Sequence, residues 1–133
     1  MQLSKGGHVA VVDGAHFALF RNTAEADIKL SAEPHAAVNA DRHGTELGHA
    51  SSSANPSDSQ QDEDGFAVGV AEQLNKLALD GKLSELVVIA APRTLGALRK
   101  HYHKALEAVI AKELSKDLTG QSPGEIEKAV AAA

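Results

Sequence analysis

The sequence predicts an α/β domain, and three observations predict it. Two apolar runs flank Asp13-Gly14 as in a strand hairpin, an apolar stripe at helical spacing begins at Phe66, and the unbroken apolar stretch Leu86–Ala91 lies between two helical patterns. A strand without polar alternation has both faces covered, which fits a parallel position inside a sheet flanked by helices.

Each element has its own signal. In "HVAVVDGAHFALFR" (8–21), Val9–Val12 and the run Phe17, Leu19, Phe20 pair across the Asp-Gly turn, where Gly14 takes the positive φ of a tight primed turn. In "ADIKLSAE" (26–33), Ile28 and Leu30 alternate with polar neighbours, the mark of a third strand with one wet face. From about Pro34 to Gly65 the apolar content collapses. "HASSSANPSDSQQDEDG" (49–65) is flexible, acidic and Ser-rich, and cannot bury enough apolar surface to offset its ordering entropy. This loop interrupts one domain (1–133) without dividing it, since neither flank holds a full core.

Phe66, Val70, Leu74 and Leu77 then form one helical stripe, and Asp80-Gly81 ends that helix with Gly in the left-handed conformation. After the strand, Ala91-Pro92 is a stop and Thr94 is the expected cap of a helix with Leu95, Leu98, Tyr102, Leu106 and Val109 inward, while Gly96 and Ala97 permit close packing. "VIAKELSKDL" (109–118) reads either as more of that helix or as a strand. Ser122, Pro123 and Glu125 open a short last helix.

Composition narrows the function. At 133 residues and 43% apolar, the chain folds as one domain, but it has only four aromatic residues (Phe17, Phe20, Phe66, Tyr102), so its core is built from Ala, Val, Leu and Ile. The absence of Cys excludes disulfides, thiolate-bound zinc and cysteine nucleophiles. No stretch reaches the roughly 18–20 apolar residues of a membrane span, and the N-terminus lacks the apolar core of a signal peptide. The expectation is a soluble, cytoplasmic protein. A net charge of −5 argues against non-specific duplex binding, yet Arg93, Arg99, Lys100 and Lys104 form a local basic face.

The candidate sites are modest. Seven histidines invite a metal, but His101 and His103, two apart on a helix, point about 200° apart and cannot share an ion. Surface imidazole is the expected role, with neither metal nor cofactor. Asp13 and His16 flank the hairpin turn without a nucleophile signature, and turn chemistry explains Asp13, whose carboxylate can accept the backbone amides of the bend. "DRHG" (41–44) reads as a structural Asp41–Arg42 corner or a binding contact. At Pro92-Arg93-Thr94 a helix N-terminus faces solvent beside Arg93, an arrangement that can bind an anion, though no Gly-rich loop wraps it.

"VVDGAHFALF", "DRHG", "FAVGVAEQLN", "LVVIAAPRTLGALR" and "KELSKDLTGQSPGEI" together resemble the bacterial host-attachment protein family, over roughly 8–130. That family is similar to the middle domain of archaeal and eukaryotic peptide-chain release factors. The resemblance implies a three-layer fold of ribonuclease H-like topology, with helices on a mixed sheet and a strand near 109–116. In release factors of this fold a Gly-Gly-Gln loop promotes peptidyl-tRNA hydrolysis. The equivalent loop here, 44–65, contains no Gly-Gly-Gln, and its Asp and Glu side chains repel ribosomal RNA.

The resulting expectation is a non-catalytic binding module that contacts ribosome, tRNA or other RNA through Arg93, Arg99, Lys100 and Lys104, with Asp41 and Arg42 as further contacts. The alternative is an intracellular regulatory adaptor that influences host-cell attachment through a protein partner.

Overall fold

The computed structural model describes residues 3–34, residue 38 and residues 58–133, with 58–64 as backbone alone. Five strands are present among them: β1 (His8–Val12), β2 (Phe17–Asn22), β3 (Leu30–Ala32), β4 (Leu86–Ala90) and β5 (Ile110–Ser115). Four helices join them: α1 (Asp58–Leu79), α2 (Pro92–Arg99), α3 (Lys104–Val109) and α4 (Pro123–Ala132). The strand order is β3-β2-β1-β4-β5. β1–β2 and β2–β3 are antiparallel, whereas β4 lies parallel to both β1 and β5. The sheet is therefore mixed.

β1 and β4 sit in the middle, and every one of their residues is buried, which is why neither shows polar alternation. Their side chains divide by face. Ala10, Val12, Leu86, Val88 and Ala90 meet Ala67, Val70, Ala71 and Leu74 of α1, with Leu95, Leu98 and Leu106 of α2 and α3. Val9, Val11, Val87 and Ile89 meet Leu3, Ile126 and Val130, the last two from α4. The molecule thus has three layers, α1–α3, sheet and α4. Each fully buried Leu or Val adds about 1.5–3 kcal/mol by leaving water.

α1 carries the expected stripe, and Gly81 (φ +75°) ends it. The Gly81 amide donates to the Ala78 carbonyl at 3.1 Å and the Lys82 amide to that of Leu77 at 2.9 Å, the paired bonds of a Schellman motif. The helix also starts earlier than its apolar stripe, so residues 58–65 of the expected loop are helical. The remainder of that loop, with Asp41 and Arg42, lies outside the described residues.

Several local readings need correction. The hairpin turn spans Asp13–His16, with Val12 opposite Phe17, and Gly14 is not among the positive-φ glycines. The longer loop removes the need for a primed turn. α2 has Ala91 as N-cap, no side-chain cap, and Pro92 in its first turn, so Thr94 is an interior residue. A Cβ at Gly96 would meet nothing within 4 Å, so this glycine serves no close packing.

The expected helix from Thr94 to Val109 is in fact two, because residues 100–103 leave the helical path. His103 caps the second, its Nδ1 accepting the Ala105 amide at 3.0 Å. The ambiguous stretch then becomes β5, at the sheet edge, as the resemblance implied. Ser122 caps α4 by accepting the Glu125 amide, and Pro123 starts it.

Candidate functional site

α2 and α3 carry the cations singled out in the sequence. Arg93 and Lys100 are seven residues apart, two helical turns, so they lie on one side of α2 and its C-terminal extension. Lys104 begins α3. All three are exposed, and none forms an ion pair among the described residues.

Arg99 differs. Its Nε and Nη2 donate to Glu113 Oε1 of β5 at 3.0 and 2.7 Å, and the Tyr102 hydroxyl donates to Oε2 of the same carboxylate at 3.0 Å. These bonds, with the charge of Glu113, raise the Arg99 pKa further above its ordinary value. Burial pushes the Tyr102 phenol up, and the Glu113 charge and hydrogen bond add to the effect. Arg99 therefore ties the α2–α3 joint to the sheet edge, and its charge is shared with Glu113.

The same joint is held from α1. Asn75 Nδ2 donates to the His101 carbonyl at 2.8 Å, and its Oδ1 accepts the His103 amide at 2.9 Å. Held by this clamp, His101 and His103 lie within the helix break at 100–103 and, contrary to expectation, do not share a helix. Among the described residues no group of three or more His, Asp or Glu side chains has the arrangement of a metal site.

At the C-terminal end of β1, Asp13 does the turn work expected of it. Its Oδ1 accepts the amides of Ala15, at 2.7 Å, and of His16. The His16 ring lies 3.1 Å away, and Thr119 donates its hydroxyl to Oδ2 at 2.8 Å. Partial burial pushes the Asp13 carboxyl up, but the hydrogen bonds from Ala15, Thr119 and His16 outweigh it and hold the pKa below the usual value. Sequence reasoning missed Thr119, which is distant in the chain, and it missed His8. Far from surface imidazole, His8 is 7% exposed at the start of β1.

A 35% identical stretch of 66 residues is shared with a protein of Rickettsia prowazekii (strain Madrid E) described as uncharacterized. It covers 48% of this chain and 44% of the relative, so the chain spans under half the length of the curated relative it matches. The sequence model of bacterial archaeo-eukaryotic release factor family 12 matches residues 8–130. That match takes in all five strands, α1 to α3 and all but the last two residues of α4, and on it the chain belongs to bacterial archaeo-eukaryotic release factor family 12.

Proposed function

We propose that this chain is a non-catalytic binding module of release-factor type, and that its α2–α3 face contacts the phosphates of ribosomal or transfer RNA. One observation carries the reading: Arg93, Lys100 and Lys104 are exposed and free of carboxylate partners among the described residues, on a chain whose net charge is −5. Family membership supports RNA as the class of partner. The missing Gly-Gly-Gln supports binding without peptidyl-tRNA hydrolysis.

The pairing of Arg99 with Glu113 sharpens the test. Reversing Arg99 would break a link between α2 and β5, so the informative variant is Arg93→Glu/Lys100→Glu/Lys104→Glu. The purified protein is sedimented with ribosomes and, separately, mixed with tRNA at about 50 and about 200 mM salt. Three phosphate contacts correspond to a loss of about 20- to 40-fold in affinity over that range. The triple variant loses the binding at both salts. Absence of binding by the unaltered protein refutes the RNA reading and leaves the adaptor that affects host attachment through a protein partner.

A further inference from the structure

The strongest unassigned feature lies at the other end of the sheet from the Ala91-Pro92 corner. A cleft of about 570 Å³ opens between the start of β1, β2, the segment after β3 and the last turns of α1. Its volume is within the range of small-molecule sites. His8 lines it beside Arg21, its cross-strand partner on β2. Leu19, Leu77 and Leu83 supply apolar lining.

Two properties of this cleft coincide. First, His8 is only 7% exposed, and its Nδ1 has no hydrogen-bond partner among the described residues. A buried polar atom without a partner destabilises the fold, and native structures keep few of them. Here the atom belongs to a side chain that lines a cleft, although Nδ1 itself is shut off from solvent, so a turn of the ring about its Cβ–Cγ bond is needed to present it to an added molecule. Second, the lining has three cations, Arg21, Lys76 and Lys82, against two carboxylates, Glu33 and Asp80. On an acidic protein this is a local excess of positive charge around a concave surface, which raises the concentration of small anions there.

Burial lowers the His8 pKa, the Glu33 charge opposes that shift and the Arg21 charge reinforces it. The ring is therefore neutral at pH 7. It offers a hydrogen bond and leaves the holding of charge to Arg21 and the two lysines.

We propose that this cleft is a binding site for a small organic anion, whose carboxylate or phosphate meets Arg21, Lys76 and Lys82 and whose neighbouring polar atom hydrogen-bonds His8 Nδ1 once the ring turns that nitrogen toward the cleft. Carboxylate and phosphate share the chemistry that Arg21 recognises, planar or tetrahedral oxygens accepting from a guanidinium. The site is independent of the α2–α3 cations, which lie on other elements.

The test follows the His8 imidazole signals of the full-length, isotope-labelled protein by NMR during titration with citrate and, separately, with adenosine monophosphate. The expected result is a saturating shift of the His8 signals with at least one probe at millimolar concentration or below. Saturation by citrate alone assigns a carboxylate ligand, and by adenosine monophosphate alone a phosphate ligand. Arg21→Gln/Lys82→Gln, both at exposed positions, weakens the saturating probe at least tenfold. His8→Phe keeps the ring's shape, removes the unpartnered nitrogen and weakens binding read by isothermal calorimetry. Arg93→Glu/Lys100→Glu/Lys104→Glu leaves it unchanged, which separates this site from the RNA face. Failure of both probes to shift His8, or binding untouched by Arg21→Gln/Lys82→Gln, overturns the proposal.

Discussion

Among the described residues two polar side chains are buried in this molecule, Asn22 and His8, and they sit on neighbouring strands at the same end of the sheet. Asn22 has every polar atom engaged. Its Nδ2 donates to the carbonyls of Leu3 and Ser4 at 2.8 and 3.3 Å, and its Oδ1 accepts the amides of Lys29 and Ala24 at 3.0 and 3.2 Å. One side chain thereby fastens the N-terminal segment and the β2–β3 turn to the end of β2. His8 holds a nitrogen for which the described residues supply no partner. Complete satisfaction marks a polar group whose purpose is the fold, whereas the unsatisfied one belongs to a ring that lines the cleft proposed to bind an anion.

The largest test of that contrast is Asn22→Ala, which takes a hydrogen-bond partner from one buried and three partly buried backbone groups. We expect a loss of about 3 kcal/mol in unfolding free energy, read by urea denaturation. A loss under about 1 kcal/mol would mean that water replaces the side chain and that the contrast is false.

A pH series separates the two residues next. Because burial lowers the folded-state pKa of His8, the unfolded chain takes up a proton below its own value of about 6.5 while the folded chain does not. The contribution of neutral His8 is therefore fully present above about pH 6.5 and is lost as pH falls through the folded pKa. The neighbouring Glu33 charge narrows this window, and Arg21 widens it. Denaturation at pH 7.5 and 5.5 should show lower stability at the acid end, with a smaller drop in His8→Phe. Equal drops in both proteins would assign the effect to other groups.

The smallest effect comes from a position where neither burial nor hydrogen bonding is at stake. Gly96 is in the interior of α2, and an added Cβ there meets open space. Gly96→Ala should stabilise by about 0.5–1 kcal/mol, seen as a higher denaturation midpoint. This sets the scale of helix propensity alone, against which the Asn22 and His8 effects are judged.

What was legible in the sequence was local. The hairpin, the continuous apolar β4, the Gly81 stop and the Ser122-Pro123 start each depend on residues close together in the chain. The break at 100–103 was not legible, because its cause is Asn75 on another helix. Nor was the partner of Arg99, since Glu113 reaches it only after β5 joins the sheet edge. Strand β5 itself shows why periodicity failed: as an edge strand it buries Leu114 and exposes most of its neighbours, so no clean alternation distinguishes it from a helix. The cations at 93, 100 and 104 were found by charge alone. His8 escaped because its apolar neighbours Val9–Val12 read as a strand, and nothing local distinguishes a buried histidine from an exposed one.

The pairing of β1 with β4 has a kinetic consequence. His8 is in register with Leu86, so the two central strands meet only when most of the chain is available. Until then the β1–β2–β3 meander has an open edge made of Val and Ala, the kind of edge that recruits other chains. Closure over so long a segment makes this pairing the slow event of folding, while β4, α2, α3 and β5 can assemble from sequential contacts. Lengthening the segment after Pro34 changes the cost only logarithmically, each doubling adding about 0.6 kcal/mol. An insertion after Pro34 would therefore leave the stability of the central strand pair nearly unchanged.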